Sequence, residues 1–120
     1  MPTLLRNQRS TDPVQVWGNR LWPRRPMDLR ASLLTRPAEG ERVVVVHGRT
    51  ADLSRSGAGV TVTQELAAGT EVVLCLRLPG SGETLILRAV ITRRRGFRVG
   101  LEFVQPTAEQ RLRLSELCRG

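Results

Sequence analysis

LILRAVIT, residues 85–92, places apolar side chains at every second position: Leu85, Leu87, Ala89 and Ile91. Because successive side chains of a strand point to opposite faces, this spacing predicts a β-strand with one face on a core. Similar segments rich in Val, Leu, Ile and Thr flank it, separated by Gly, Pro or charged turns. Together they predict six strands, over Leu29 to Arg36, Arg42 to Leu53, Val60 to Thr63, Val72 to Leu78, Leu85 to Thr92 and Phe97 to Val104.

Two details of these strands carry further predictions. The second strand opens with four consecutive valines, Val43 to Val46, which predicts that both of its faces are covered near its start. Arg93 to Gly96 predicts a tight connection between the last two strands. Its arginines either lie in solvent at the hairpin tip or contact a partner.

The residue pattern changes after Pro106. Thr107-x-x-Gln110 is a capping box, and a helix is predicted to reach about Arg119 with Ala108, Leu112, Leu117 and Cys118 near one stripe. Six consecutive antiparallel strands and one C-terminal helix predict an all-β dominated fold. We expect a small closed or nearly closed six-stranded β-barrel, because closure removes exposed strand edges.

The first 26 residues have no sustained apolar period, and they contain Pro13, Pro23, Pro26 and both tryptophans, Trp17 and Trp22. This composition predicts an irregular N-terminal arm. A chain of 120 residues has room for one core, so the predicted organisation is an arm over 1–26 and a barrel with its helix over 27–120. Met1 and the arm favour a stand-alone protein over a piece of a larger one, such as a polysaccharide synthase.

The charge of the chain favours an anionic partner. Its formal net charge is +8, and all 19 basic residues are arginine, whose planar fork grips phosphate or guanine at two points. A GC-rich genome is an alternative explanation for most of these arginines. The aromatic residues, Trp17, Trp22, Phe97 and Phe103, are too few for a stacking platform along a single strand, which argues against nucleic acid.

Several other function classes have little support in the sequence. His47 is the single histidine, and neither a GxSxG elbow nor a GxxxxGK[ST] loop occurs, so we expect no enzyme activity. Cys75 and Cys118 have no CxxC spacing or companion histidines, so no metal or cofactor is expected. No apolar stretch approaches the roughly 20 residues of a membrane span, and the N-terminus lacks a signal peptide, which predicts a cytoplasmic protein.

The first of two short motifs is Arg20-Leu21-Trp22-Pro23-Arg24. Pro23 and Pro26 favour an extended chain, in which Arg20, Trp22 and Arg24 project on one side. Two guanidiniums at this spacing can clamp phosphates or donate to the O6 and N7 acceptors of guanine. The alternatives are a solvated arginine cluster and, for Trp22, packing of the arm on the barrel.

The second motif is Asp52-Leu53-Ser54-Arg55-Ser56-Gly57, at the end of an apolar strand. A carboxylate such as that of Asp52 can accept hydrogen bonds from N1 and N2 of guanine, an edge that adenine does not offer. Ser54 can contact the ligand or orient Asp52, and Gly57 is predicted to take a positive φ where the chain reverses. Alternatively, Asp52 and Ser54 satisfy backbone donors of an Asx-type turn.

These motifs, in this order, resemble the RxxxR and D/N-x-S-x-x-G motifs of the PilZ family, and the likeness runs from about Arg20 to Leu117. The resemblance implies a small β-barrel that binds the bacterial second messenger cyclic di-GMP. It implies ligand contacts from Arg20, Arg24, Asp52, Ser54 and Gly57, with Asn19, Trp22 and Arg25 as possible further contacts. Members often carry a basic residue where this chain has Asn19, which leaves open whether one ligand or a stacked pair is bound.

The function expected from this resemblance is that of a cyclic di-GMP receptor. The ligand would order the N-terminal arm, and a protein effector, which the sequence does not identify, would respond to the ordered arm. Two alternatives stay open at this point. One is a small basic barrel that binds RNA or DNA, and the other is a PilZ-like interaction module without a ligand.

Overall fold

The computed structural model describes residues 24–35 and 42–119. These residues form seven strands and one helix: β1 (Arg25–Pro26), β2 (Arg30–Thr35), β3 (Val44–Leu53), β4 (Gly57–Val62), β5 (Glu71–Arg77), β6 (Thr84–Arg95), β7 (Arg98–Phe103) and α1 (Ala108–Cys118). The six predicted strands and the predicted helix are therefore confirmed. The third strand begins at Gly57, earlier than the alternating residues that predicted it.

Six of the strands close into an antiparallel barrel. Around it the strands run β3, β2, β5, β6, β7 and β4, and β4 pairs with β3 again to complete the circle. The short strand β1 lies outside this circle against the end of β3, where Arg25 is opposite Leu53 and Pro26 is opposite Asp52. The prediction of an irregular chain was therefore wrong for Arg25 and Pro26. Residues 1–23, with Asn19, Arg20 and Trp22, lie outside the described residues.

The core fills the interior of the barrel with alternate residues of the six strands. In β6 the predicted inward set is confirmed, since the four side chains that alternate with exposed neighbours are all buried. The other strands contribute in the same way. The largest fully buried apolar side chains are Leu33, Val46, Leu53, Val60, Leu74, Leu76, Leu87, Ile91, Val99, Leu101 and Leu114.

The valine run at the start of β3 is less covered than predicted. Val46 is buried, but Val43 and Val45 are 49% and 48% exposed. Val45 alternates with buried Val46 along the strand, so its side chain lies on the outer face of the barrel rather than in the core. The prediction that both faces are covered was therefore wrong.

Helix α1 packs on the barrel through a stripe that shares Leu117 and Cys118 with the predicted one, but not Ala108 and Leu112. Thr107 and Gln110 form the predicted capping box. Leu114 is fully buried, with Leu117 and Cys118 packed against the same core, whereas Leu112 is 57% exposed. Leu112 precedes Leu114 by two residues, about 200° around a helix, so the two side chains face opposite ways. Among the described residues, no helix has the length and apolar content needed to cross a membrane.

Candidate functional site

A β-bulge at Ala51 turns the side chain of Asp52 out of the barrel. In the pairing of β3 with β4, Thr50 is opposite Val60 and Asp52 is opposite Gly59, so Ala51 is an extra residue. Thr50 is buried, and strict alternation would point Asp52 inward as well. The bulge reverses this assignment: Leu53 enters the core, and the Asp52 carboxylate lies on the outer surface.

The Asp52 carboxylate connects the two sequence motifs. Its Oδ1 accepts a hydrogen bond from Arg24 Nη1 at 2.6 Å and another from the Gly59 backbone N–H at 3.1 Å. Its Oδ2 accepts a longer bond from Arg98 Nη2 at 3.4 Å. The Arg24 and Asp52 side chains are 19% and 22% exposed, so this ion pair is largely withdrawn from water. Arg24 Nε is buried without a hydrogen-bond partner among the described residues.

Strand β3 also fixes the backbone that carries Arg24. The Thr50 hydroxyl, which is buried, donates to the Met27 carbonyl and accepts from the Leu29 N–H at 2.8 Å. The Met27 N–H donates to the Ala51 carbonyl at 3.2 Å. Because a buried polar group is costly to leave unpaired, these bonds hold the chain after Arg24 in one position relative to Asp52.

Ser54 and Gly57 form the turn that leads into β4. Ser54 is fully buried, and its hydroxyl accepts from the N–H groups of Ser56 and Gly57 at 3.1 Å each. Gly57 does not have a positive φ, so that prediction was wrong. A Cβ at Gly57 would instead lie 2.2 Å from the Leu101 carbonyl oxygen, so the close approach of β7 requires glycine here.

Asp52 begins a row of outward-facing positions that crosses four strands. Asp52 is opposite Gly59, Gly59 is opposite Gly100, and Gly100 is opposite Arg93. The two central positions carry no side chain, which leaves a backbone floor between an acidic and a basic end. The sequence motifs did not identify either glycine as a site residue. Each one nevertheless interrupts a series of strand-forming residues at a position that faces outward.

A second bulge, at Thr92 in β6, supplies the basic end of the row. Ile91 is opposite Leu101 and Arg93 is opposite Gly100, so Thr92 is the extra residue. Strict alternation from buried Ile91 would point Arg93 and Arg95 inward. The bulge places both on the outer surface, with Arg95 opposite Arg98 of β7. These arginines are strand residues; the tight connection that was predicted over Arg93 to Gly96 begins only after Arg95.

An open groove of about 940 Å³ lies over this row, a volume within the range of small-molecule sites. We call it the arginine groove, because five arginines and one carboxylate line it. Its strong positive charge suits an anionic ligand. Arg94 forms an ion pair with Glu65, with 3.6 Å between Nη1 and Oε1. The lining comprises Arg24, Asp52, Gly59, Ala67, Ala68, Thr92, Arg93, Arg94, Arg95, Arg98, Val99 and Gly100.

The predicted site residues therefore fall into separate groups. Arg24 and Asp52 meet in the arginine groove, while Ser54 and Gly57 shape the turn behind it. Arg25 lies near the end of α1, where burial raises the pKa of the Cys118 thiol and the Arg55 and Arg25 charges act in the opposite direction. Within the described ranges, no three His, Cys, Asp or Glu side chains are grouped as metal ligands would be.

The chain is similar to known proteins in both sequence and fold. The family model of the PilZ domain matches residues 19–120. Among solved structures, the chain is similar to the PilZ domain of CeSA from a cellulose-synthesizing bacterium, at 29% identity and a TM-score of 0.62. That similarity covers 79% of this chain and 93% of the other. No curated protein matches the sequence.

Two further structures share the fold at lower identity. One is the PilZ domain of YcgR from Escherichia coli with c-di-GMP, at 17% identity, a TM-score of 0.64, and coverage of 82% of this chain and 87% of that one. The other is the Bacillus subtilis inhibitor of motility MotI/DgrA, at 19% identity and a TM-score of 0.63. Here the similarity covers 82% of this chain and 48% of the other.

Proposed function

Since the chain belongs to the PilZ domain family, we propose that it binds cyclic di-GMP in the arginine groove and acts as a receptor for that second messenger. PilZ domains are ligand-binding receptor domains, and the related YcgR domain has been solved with c-di-GMP. The observation that carries the proposal is the ion pair of Arg24 and Asp52, which joins the two motifs at the acidic end of a groove rich in arginine.

Asp52 is the group that reads guanine in this proposal. A carboxylate offers about four lone-pair sites, and three of them accept bonds from Arg24, Gly59 and Arg98. The Arg98 bond is long at 3.4 Å, and its side chain is 53% exposed, so Oδ2 is the oxygen most easily released. The N1 and N2 donors of guanine approach this side of the carboxylate and replace Arg98. Adenine lacks that pair of donors, which gives selectivity for guanine.

Arg24 and the glycine floor complete the binding surface. The Asp52 contact holds the Arg24 fork in place, and Arg24 lines the groove, so its guanidinium can donate to a phosphate or guanine acceptor there. Gly59 and Gly100 carry no side chain, so a flat ring or a sugar can lie low in the groove once the Arg93 side chain, which crosses Gly100, turns toward the ligand. Ser54 acts indirectly in this proposal, by holding the turn after Asp52.

The N-terminal arm provides the response. Arg20 precedes Arg24 by four residues, so its Cα lies within roughly 14 Å of that of Arg24. It can therefore reach the same ligand, with Asn19 and Trp22 beside it. Binding then orders residues 1–23 against the barrel, and a protein effector recognises the ordered arm.

Calorimetric titration of variants with cyclic di-GMP tests the site. Arg24→Ala and Asp52→Ala each remove a charge-assisted contact worth about 1.5–3 kcal/mol, so we expect the Kd to rise about ten- to a hundredfold. Arg77→Ala is the matched control, because Arg77 is exposed on β5 and lies outside the groove lining. Unchanged affinity in both groove variants would refute the assignment of this site.

The arm can be followed by fluorescence. Trp17 and Trp22 are the only tryptophans in the sequence, and they flank Arg20. If the arm closes over the ligand, the emission of the full chain shifts as cyclic di-GMP is added and saturates with the calorimetric signal. Saturable heat with unchanged emission would support the groove but contradict the movement of the arm.

A further inference from the structure

The end of the arginine groove farthest from Arg24 has features of a built site. We call Arg93, Arg95 and Arg98 the hairpin arginines, since they lie on both sides of the β6–β7 connection. The Thr92 bulge turns Arg93 and Arg95 out of the barrel, as the Ala51 bulge does for Asp52. β-Bulges commonly re-aim side chains beside functional sites. Both bulged strands direct their charged residues to the same groove.

The charges of the hairpin arginines are poorly compensated. Arg95 and Arg98 are directly opposite each other in an antiparallel pair, an arrangement that is unfavourable for like charges. Among the described residues, Arg93 and Arg95 have no carboxylate within ion-pair distance, and Arg98 has only the 3.4 Å contact with Asp52. The Arg93 side chain extends over Gly100, where its Nε lies 3.6 Å from the position a Cβ would take. All three side chains line the same groove.

We propose that the hairpin arginines form a second phosphate subsite of the arginine groove. The inference rests on the proposed function, because its ligand is the second phosphate of cyclic di-GMP, the one not held by the motif arginines. The row from Asp52 to Arg93 spans three strand spacings, roughly 14 Å, and the long arginine side chains reach inward from both ends. Arg98, once guanine has displaced it from Asp52, turns to this phosphate and neutralises it together with Arg95.

Arg95→Ala tests the subsite most cleanly, because Arg95 has no hydrogen bond to Asp52 or Arg24 that its loss could disturb. Calorimetry of the full chain with cyclic di-GMP should show about tenfold weaker binding, the loss of one charge-assisted contact. Arg88→Ala is the matched control, since Arg88 is exposed on the same strand and outside the groove. It should bind like the unmodified chain and melt at the same temperature. Arg95→Ala should melt at the same or a slightly higher temperature, because it removes one of two like charges that lie opposite each other.

Arg95→Lys distinguishes a phosphate subsite that needs the arginine fork from attraction of the ligand by any positive charge. A fork that grips phosphate at two points is not replaced by an ammonium, so the subsite predicts a partial loss of affinity. Affinity equal to that of the unmodified chain in both Arg95→Ala and Arg95→Lys would overturn the subsite and leave the proposed function standing. Full affinity in Arg95→Lys alone would show that any positive charge at this position is sufficient, and this result would overturn the subsite too. If the unmodified chain does not bind cyclic di-GMP, the proposed function falls and this inference with it.

Discussion

Gly100→Ala separates ligand binding from folding at the floor of the arginine groove. A Cβ at Gly100 would lie 3.6 Å from the Arg93 Cβ and Nε and 3.9 Å from the Thr92 hydroxyl, which are ordinary van der Waals distances. Gly100 does not have a positive φ, so alanine fits its backbone. Stability should therefore stay unchanged or rise by about 0.4–1 kcal/mol, because alanine has less conformational freedom in the unfolded chain.

The same methyl group should weaken binding. In the proposed complex this methyl group occupies the floor that the ligand contacts, and one extra carbon in a close contact costs about 1–3 kcal/mol. The Kd for cyclic di-GMP should rise about fivefold to more than a hundredfold. Urea denaturation measures the stability and calorimetry the affinity. Unchanged affinity in a folded Gly100→Ala protein would refute the claim that the ligand contacts the glycine floor. Gly59→Ala is a less clean test, since its Cβ would lie 3.0 Å from Asp52 Oδ2.

Three further predictions concern the fold. Leu114→Ala should lower the free energy of unfolding by about 2–5 kcal/mol, because Leu114 is fully buried, whereas Leu112→Ala, at an exposed position, should change it by less than about 0.5 kcal/mol. Urea titration of both variants measures this difference, and equal effects would contradict the observed helix stripe. Gly57→Ala should destabilise the protein by about 1–3 kcal/mol or prevent folding, because the added Cβ would lie 2.2 Å from the Leu101 carbonyl oxygen. Thermal denaturation measures this effect, and a melting temperature equal to that of the unmodified chain would exclude the close contact. The hydrogen bond and charge of Arg113 lower the pKa of Glu83, so the stabilising contribution of this pair is present at neutral pH and is lost as the pH falls through that lowered pKa. NMR titration of Arg113→Ala should find the pKa of Glu83 closer to its ordinary value. The same Glu83 pKa in the variant and in the unmodified chain would contradict the pairing.

The sequence predicts the barrel well because alternation is a local property. The spacing of Leu85, Leu87, Ala89 and Ile91 identifies a strand with one buried face, and the capping box identifies the start of α1. The errors occur where burial depends on distant chain segments. Whether the outer face at Val45 is covered depends on what other segments pack there, and the buried stripe of α1 is set by how the helix meets the barrel.

The candidate site was only partly predictable for the same reason. The motifs identify Arg24 and Asp52, but the outward direction of Asp52 depends on a bulge that pairing with β4 reveals. The same is true of Arg93 and the Thr92 bulge. Gly59 becomes a site residue only through its position beside Asp52, which no local pattern reports. The sequence therefore predicted the residues that carry the motifs, but not the floor and the far end of the groove.

The most direct test of the central claim is a calorimetric titration of the full, unmodified chain with cyclic di-GMP, with cyclic di-AMP and GTP as control ligands. The arginines of the groove offer contacts to any phosphate, whereas the proposed role of the Asp52 carboxylate is to select guanine. We predict saturable binding of cyclic di-GMP and much weaker or no binding of the two controls under the same conditions. Absence of saturable heat with cyclic di-GMP, or equal affinity for cyclic di-AMP, would contradict it.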